Sequence, residues 1–226
     1  MSALDLGSQA RRFAGIIQEL LNKTVCDNAQ VLADNGRRRT GEAHIGTRLK
    51  RGDLSTEMIR LRSRARTKIW LDFSSVWFQN DEGHLTAKSS YCGIWLGDRH
   101  EDPLLHYDYE REKDIYAEAH IQVAGRHSAL EHMLSELGRR GDVMKRLHLP
   151  VGGRRLRPAI EDVLECLIAE RLVEAKPGHE KVLNDSRRDY REIQIAALVR
   201  SHQQRAAAAL KAVGWDVLLG RERKGG

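Results

Sequence analysis

Histidines and carboxylates alternate with apolar residues in two short segments of the sequence, LLHYDYER and EAHIQVA. Side chains two residues apart in a strand point to the same face, so each segment predicts one apolar and one polar face. The polar residues are His106, Asp108, Glu110, Glu118, His120 and Gln122. A carboxylate beside an imidazole orients the ring and holds its proton, which is what general acid–base chemistry near pH 7 requires. If the strands are neighbours, this face is a candidate catalytic surface, with His120, His106, Asp108 and Glu110 as its candidate catalytic residues.

The chemistry that two imidazoles suit best is cleavage of RNA without a metal ion. One His would remove the proton of the ribose 2′-hydroxyl group, and the other would protonate the leaving oxygen. A divalent ion held by His and carboxylate is a second use of the same groups. No spacing typical of zinc supports it, so we predict neither a metal nor another cofactor. The alternative is an ordinary solvated face, because antiparallel sheets commonly present paired opposite charges to water.

Arginines are concentrated in a few stretches that an RNA backbone could contact. Arg60, Arg62, Arg64 and Arg66 would form a comb along one face of a strand, and guanidinium groups two residues apart on an extended chain can follow successive phosphates. The predicted nucleic-acid-binding residues are Arg60, Arg62, Arg64, Arg66, Arg154, Arg155 and Arg157, and residues 37–39 form a further basic group. The formal net charge of +6 also favours acidic partners. A solvated basic face, balanced by acidic residues elsewhere, is the alternative.

Three tryptophans, Trp70, Trp77 and Trp95, fall in segments that we predict to be strands. Indoles that reach the surface can stack nucleic-acid bases, whereas buried indoles fill the core. Core burial is the commoner outcome. We therefore expect these tryptophans to lie in the core, with base stacking as the alternative.

The pattern of apolar residues positions these side chains on a sheet that follows an N-terminal helix. Spacings of three and four residues between Phe13 and Leu21 predict the helix, with an extension as far as Gly36 left open. Residues 35–56 lack apolar periodicity and predict a loop. Alternation with period two then predicts four strands, at residues 67–79, 84–96, 104–111 and 118–124.

Helical signals return in the last hundred residues. The predicted helices are residues 128–138, a helix that begins at Pro158, and residues 186–213. Before Pro158, alternating apolar residues from Leu147 to Val151 predict a short strand, and Gly152 with Gly153 suits a tight turn. The stretch is therefore a structural junction, with arginines beside a helix N-terminus that could contact a phosphate.

A helix, antiparallel strands and further helices in this order indicate an α+β fold. We expect a central antiparallel meander sheet of about four to six strands, with an N-terminal helix and three C-terminal helices packed on one face. The 226 residues suit a single domain, with a helical segment and basic loop (1–57), the sheet (58–125) and a helical part (126–226). The sequence has no membrane-length apolar run and no secretory signal, so we expect a cytoplasmic protein without a membrane partner.

Three blocks, YDYER, EAHIQVAG and LHLPVGGRRLRPAIEDVLECLI, resemble blocks that occur in the same order in an uncharacterised family of bacterial proteins. The likeness covers roughly the second half of the chain, and residues 148–167 are its most specific part. Members of that family often have a second His at the position of Gln122. The resemblance implies no activity, but it implies that a partner for His120 would have to come from His106 or His127.

These patterns predict a cytoplasmic nucleic-acid-binding protein, with RNA favoured, and raise the hypothesis of a metal-independent ribonuclease of toxin or defence type. The alternative is a non-catalytic interaction subunit of a regulatory or phage-defence assembly, which binds a protein partner or further copies of itself. A third hypothesis is a receptor for a small phosphorylated ligand at Gly152 and Gly153. The sequence lacks the Walker A, dinucleotide-binding, nucleophile-elbow, zinc-protease and EF-hand patterns, which argues against the classes that those patterns mark.

Overall fold

A computed structural model of the chain describes residues 5–34, 41–47, 57–66, 68–97, 102–126, 132, 148–152 and 157–218. The chain divides into two compact units, residues 1–184 and residues 185–226. The first unit contains the sheet and the helices that pack on it. That the whole chain forms a single domain stays a prediction.

The N-terminal helix α1 comprises Leu6–Thr24. Its N-cap residue is Asp5, whose side chain accepts a hydrogen bond from the Ser8 backbone N–H group at 2.9 Å. This bond satisfies one of the free donors of the first turn. Small and aliphatic side chains at helical spacing line its buried face, among them Ala10, Ala14 and Ile17. The open possibility of a longer helix is wrong, because the helix ends at Thr24.

In the described part of the chain, eight strands form one sheet, and all the pairings there are antiparallel. They are β1 Leu32–Asp34, β2 Glu42–Gly46, β3 Ile59–Arg60, β4 Ile69–Gln79, β5 Leu85–Leu96, β6 Pro103–Glu110, β7 Ala119–Val123 and β8 Leu149–Pro150. The order across the sheet is β1-β2-β4-β5-β6-β7-β8, and β3 pairs with the N-terminal end of β4. The sheet is therefore a meander from β4 to β8, as the sequence predicted from β4 to β7.

The α+β fold is confirmed, and the four predicted strands are present with ends that differ by two residues or fewer. The strand count is higher than the predicted four to six. Part of the difference lies in β1 and β2, since β2 falls in a segment that we expected to be a loop. This strand has only five residues, too few for the alternation of buried and exposed positions to be recognised among the glycines and arginines around it.

The three remaining helices with described bounds lie in the C-terminal part. They are α2 Ile160–Ala169, α3 His179–Ser201 and α4 Gln203–Ala212. The predicted long helix of residues 186–213 is thus interrupted at His202, and Gly214 follows α4 with a φ angle of 89°, a conformation suited to glycine. The predicted helix of residues 128–138 lies outside the described residues except for residue 132. None of the described helices is long and apolar enough to cross a membrane.

One face of the sheet is the core of the first unit. Side chains of the central strands, such as Leu71 and Ile94, form a single buried cluster with apolar residues of α1 and α2, such as Leu21 and Leu164. Trp77 packs on this cluster and contacts the Phe13 ring at 4.7 Å between centroids. Trp77 therefore follows the expectation of core packing, and the opposite face of the sheet carries the polar residues.

Candidate functional site

The strands β6 and β7 are neighbours, which is the condition on which the candidate catalytic surface depended. In their antiparallel register His106 lies opposite Gln122, and Asp108 lies opposite His120. Beyond this pair, Glu110 donates its backbone N–H group to the Glu118 carbonyl oxygen at 2.8 Å. Residues directly opposite each other on antiparallel strands point to the same face. The sheet therefore brings the polar residues of both segments together on one face.

Asp108 lies between the two histidines of this face. Its Oδ2 atom is 3.4 Å from His106 Nε2 and 3.7 Å from His120 Nε2. The His106 and Asp108 side chains are each 23% exposed. A hydrogen bond from His106 to Asp108 is the main reason that the pKa of His106 is raised, against the opposing effect of burial. The accessible imidazole of this pair therefore keeps its proton to a higher pH than a free histidine.

His120 is the most buried member of the group, with only 1% of its side chain exposed. Its Nδ1 atom lies 3.1 Å from the Ala117 carbonyl oxygen, and its ring meets the rings of Tyr116 and His148 edge-on, at 4.9 and 4.5 Å between centroids. A carbonyl oxygen only accepts, so Nδ1 carries hydrogen and Nε2 faces Asp108. The ring is thus fixed in position.

The amide of Gln122 joins two imidazoles. His106 Nε2 lies 2.5 Å from Gln122 Oε1, and the amide nitrogen lies 3.2 Å from His148 Nε2. This arrangement has the amide oxygen accept from His106 and the amide nitrogen donate to His148. Gln122 therefore connects the strand pair to His148, which the sequence had not indicated as a site residue.

A carboxylate, an amine and a phenol form the next part of the polar face. Glu110 accepts hydrogen bonds from Lys113 Nζ at 2.6 Å and from the Tyr116 hydroxyl group at 2.9 Å. Lys113 also lies over the Tyr116 ring, 4.9 Å from its centroid. The hydrogen bond from Lys113 is the main cause that lowers the pKa of Glu110, and the same bond raises the pKa of Lys113 to about 12. Glu110 is therefore a paired anion, which favours an orienting role for it over proton transfer.

On β5, the side chains of Tyr91 and Trp95 lie over Gly93, on the same face as the polar residues of β6 and β7. A Cβ atom at position 93 would lie 2.4 Å from the Tyr91 hydroxyl oxygen and 2.7 Å from Trp95 Nε1, so only glycine leaves space for both side chains. The rings of Tyr91 and His106 are 5.4 Å apart. Burial, followed by the charges of Asp72 and Asp108, raises the pKa of Tyr91, which keeps its hydroxyl group protonated.

A groove of about 600 Å³ lies beside this cluster. Asp108, Glu110 and Tyr91 line it, and so do Arg111 and Lys88, whose ammonium group pairs with Glu42 at 2.5 Å. Serines of β4 and β5 also line it, among them Ser74 and Ser89. The groove is polar and large enough for a small polar ligand or for part of a polymer.

The predicted arginine comb of residues 60–66 does not form along a strand, because β3 ends at Arg60. Arg62 pairs with Asp27 at 2.8 Å and Arg64 pairs with Glu174 at 2.5 Å, so local carboxylates balance their charges. Arg66 is exposed beyond the strand. The expectation of four guanidinium groups on one strand face is therefore wrong, although each arginine remains a predicted contact.

Arg157, the described arginine of the second basic stretch, is not part of the polar face either. The Arg157 guanidinium group lies over the ring of Tyr109, 4.1 Å from its centroid. Tyr109 points to the face opposite to that of Asp108 and Glu110, because it alternates with them along β6. Arg154, Arg155 and the cluster of residues 37–39 lie outside the described residues, as does His127.

Sequence reasoning did not identify several residues that contact the predicted set, namely Tyr91, Lys113, Tyr116 and His148. The first three lie in or next to the strands, but a period-two pattern gives no information on which loop side chain folds back over a strand. His148 precedes β8 and aligns with Gln122 only once β8 is paired with β7. His148 could have been identified only from a prediction that β8 pairs with β7.

Among the described residues, no group of three or more His, Cys, Asp and Glu side chains is arranged to hold a metal ion. Comparisons with known proteins give no further assignment. No protein-family model, no curated protein and no solved structure matches this chain.

Proposed function

We propose that this chain is a cytoplasmic RNA-binding protein that cleaves RNA by general acid–base chemistry without a metal ion, as ribonucleases of toxin or defence systems do. The observation that supports this most is the position of Asp108 between His106 and His120 on a face that borders an open polar groove. Attack by the internal 2′-hydroxyl group on the phosphodiester needs at least an acid and a base within reach of the same substrate, and an imidazole with a raised pKa beside a carboxylate can supply both.

His106 is the general acid in this proposal. Its pKa is raised, so the ring keeps its proton to a higher pH than a free histidine and can supply it to the departing 5′-oxygen. Asp108 accepts the proton of the 2′-hydroxyl group as the 2′-oxygen bonds to phosphorus and the bond from phosphorus to the 5′-oxygen breaks. The products are a 2′,3′-cyclic phosphate and a 5′-hydroxyl group. The proton on Asp108 then returns to His106, whose Nε2 atom is 3.4 Å away.

His120 and Glu110 have supporting roles in this scheme. His120 is 1% exposed, so we place it behind the reacting atoms as a positioning residue that holds Asp108. Glu110 orients Lys113 and Tyr116 through the two hydrogen bonds described above. Arg111, which lines the groove, supplies positive charge toward the phosphate.

The experiment is incubation of the purified protein with an end-labelled single-stranded RNA in the presence of EDTA. Cleavage to 2′,3′-cyclic phosphate ends is expected, with no cleavage of the 2′-O-methyl analogue, which lacks the nucleophile. His106→Ala should reduce the rate by about 100-fold or more, the size of a general acid's contribution. The matched control is His84→Ala, since His84 also faces a carboxylate, Glu82 at 3.3 Å, but outside the cluster. No binding at low salt and no cleavage, or equal rates for both variants, would reject the proposal.

A non-catalytic interaction subunit is the second candidate. It is favoured by exposed apolar side chains in the unit of residues 185–226, notably Ile193, Val213 and Trp215, which are 63%, 72% and 67% exposed. Apolar groups of this size at a surface are typical of protein contacts. A uniform oligomer in light scattering, together with an RNA-cleavage rate of zero, would favour this candidate over the ribonuclease.

A further inference from the structure

We expected Trp70 and Trp95 to lie in the core, but both lie on the polar face of the sheet. They are directly opposite each other in the β4–β5 register, and Arg60 is opposite Trp70 in the β3–β4 register. Along β4 and β5 they alternate with Leu71 and Ile94, which are fully buried in the core. Arg60, Trp70 and Trp95 therefore form one row across three strands on the face of the candidate site.

This row is next to the row that contains the general acid. Two residues further along the strands, Asp72, Gly93, His106 and Gln122 are aligned across β4, β5, β6 and β7. Two residues of an extended strand span about 6.8 Å. The contact of Trp95 Nε1 with the space above Gly93 brings its indole toward the acid row. The tryptophan row is thus adjacent to the reacting groups.

Exposure and charge make this row different from the core aromatics. Both indoles are partly exposed, and Arg60 is exposed and has no ion pair among the described residues. By contrast, Arg62 and Arg64 are balanced by carboxylates. Two indole surfaces beside an unpaired guanidinium group suit a ligand that has both a flat π-system and a negative charge, which describes a nucleotide.

We propose that Arg60, Trp70 and Trp95 form a stacking subsite for one base of single-stranded RNA, next to the phosphodiester bond at His106. This inference rests on the proposed function and specifies its substrate class. The bases of a duplex are stacked on each other and cannot reach an indole, whereas the splayed bases of a single strand can. Arg60 contacts the adjacent phosphate.

The test measures binding in the His106→Ala background, so that cleavage does not interfere. The probes are a fluorescein-labelled single-stranded RNA of ten uridines and a labelled RNA duplex. Adding Trp70→Leu should weaken single-strand binding about tenfold, in line with the loss of one stacked base, and should leave the weaker duplex binding unchanged. Trp70→Phe should retain most of the affinity because it keeps an aromatic surface. Trp215→Leu is the matched control, since it removes an exposed indole from the other unit.

A second variant guards against a folding defect at Trp70. Arg60→Ala changes an exposed residue at the end of a two-residue strand, and should lower the salt dependence of binding by about one phosphate contact. Wild-type-like single-strand affinity in both Trp70→Leu and Arg60→Ala would overturn the subsite while leaving RNA binding intact. Failure of the His106→Ala parent to bind either RNA would overturn the proposed function, and the subsite with it.

Discussion

Asp108 and His120 are directly opposed on β6 and β7, and His120 Nε2 lies 3.7 Å from Asp108 Oδ2. The other nitrogen of the ring faces the Ala117 carbonyl oxygen at 3.1 Å, so the imidazole is held from both ends. His106 reaches the same carboxylate oxygen from the exposed side. Asp108 is consequently the residue that contacts both the buried and the accessible imidazole.

The first prediction concerns the source of the raised pKa of His106. Asp108→Asn removes the carboxylate that the His106 ring bonds, so the pKa of His106 should fall toward or below its ordinary value. An NMR titration of the His106 ring protons measures this directly. RNA cleavage should be lost in the same variant, because Asp108 is also the proposed general base. Glu82→Gln, which neutralises the carboxylate beside His84, should leave the His106 titration unchanged.

The second prediction follows from the same shift and concerns stability. A group whose pKa is higher in the folded state stabilises that state fully below its unfolded pKa, about 6.5 for histidine, and loses this contribution as pH rises through the folded value. The free energy of unfolding should therefore decrease between pH 6 and pH 8 more in the wild type than in His106→Ala. Urea unfolding at a series of pH values measures both. Parallel curves for the two proteins would contradict the raised pKa.

The third prediction compares two tyrosines whose hydroxyl groups differ in hydrogen bonding. The Tyr109 side chain is 1% exposed, and its hydroxyl group has no hydrogen-bond partner among the described residues, whereas the Tyr116 hydroxyl group donates to Glu110. Burying a hydroxyl group without a partner costs about 1–3 kcal/mol. Tyr109→Phe should therefore raise the free energy of unfolding by about 1 kcal/mol, and Tyr116→Phe should lower it by a similar amount. Chemical denaturation distinguishes the two, and equal signs would refute the comparison.

The strands of the candidate site could be predicted because each has one apolar and one polar face. The alternation of Leu105, Tyr107 and Tyr109 with polar residues reflects a sheet that buries one face against helices, and that is a local property of the sequence. That His106 and Gln122 share a face required only that consecutive strands be neighbours with their apolar sides on one core, which holds in a meander. These parts of the site were accessible without a structure.

Residues that depend on non-local geometry were not accessible in this way. Trp70 and Trp77 are seven residues apart in β4, so alternation places them on opposite faces. Alternation does not show which face is buried, and it is the packing of α1 and α2 that places Trp77 on the core and leaves Trp70 on the polar face. Arg62 and Arg64 looked like a phosphate comb, but Asp27 and Glu174 come from other parts of the chain to pair with them. Such pairings depend on which segments meet, and period and composition do not specify that.

The last prediction tests whether Gly93 is required by the packing of Tyr91 and Trp95. Gly93 has no positive φ angle, so its importance is steric: an added Cβ atom would lie 2.4 Å from the Tyr91 hydroxyl oxygen and 2.7 Å from Trp95 Nε1. Gly93→Ala should force both rings to move, lower the free energy of unfolding by about 1–3 kcal/mol, and change the tryptophan fluorescence of the folded protein.

Gly15→Ala is the matched control for this change. Gly15 lies within α1, and a Cβ atom there would meet nothing within 4 Å. The substitution reduces the backbone freedom of the unfolded chain and should raise the free energy of unfolding by about 0.5–1 kcal/mol. If Gly93→Ala were as stable as the wild type and its fluorescence were unchanged, Tyr91 and Trp95 could not be held above Gly93, and the link between the tryptophan row and the His106 row would be lost. A destabilised Gly93→Ala variant that also cleaves RNA more slowly, beside a stabilised and active Gly15→Ala variant, is the expected pair of results.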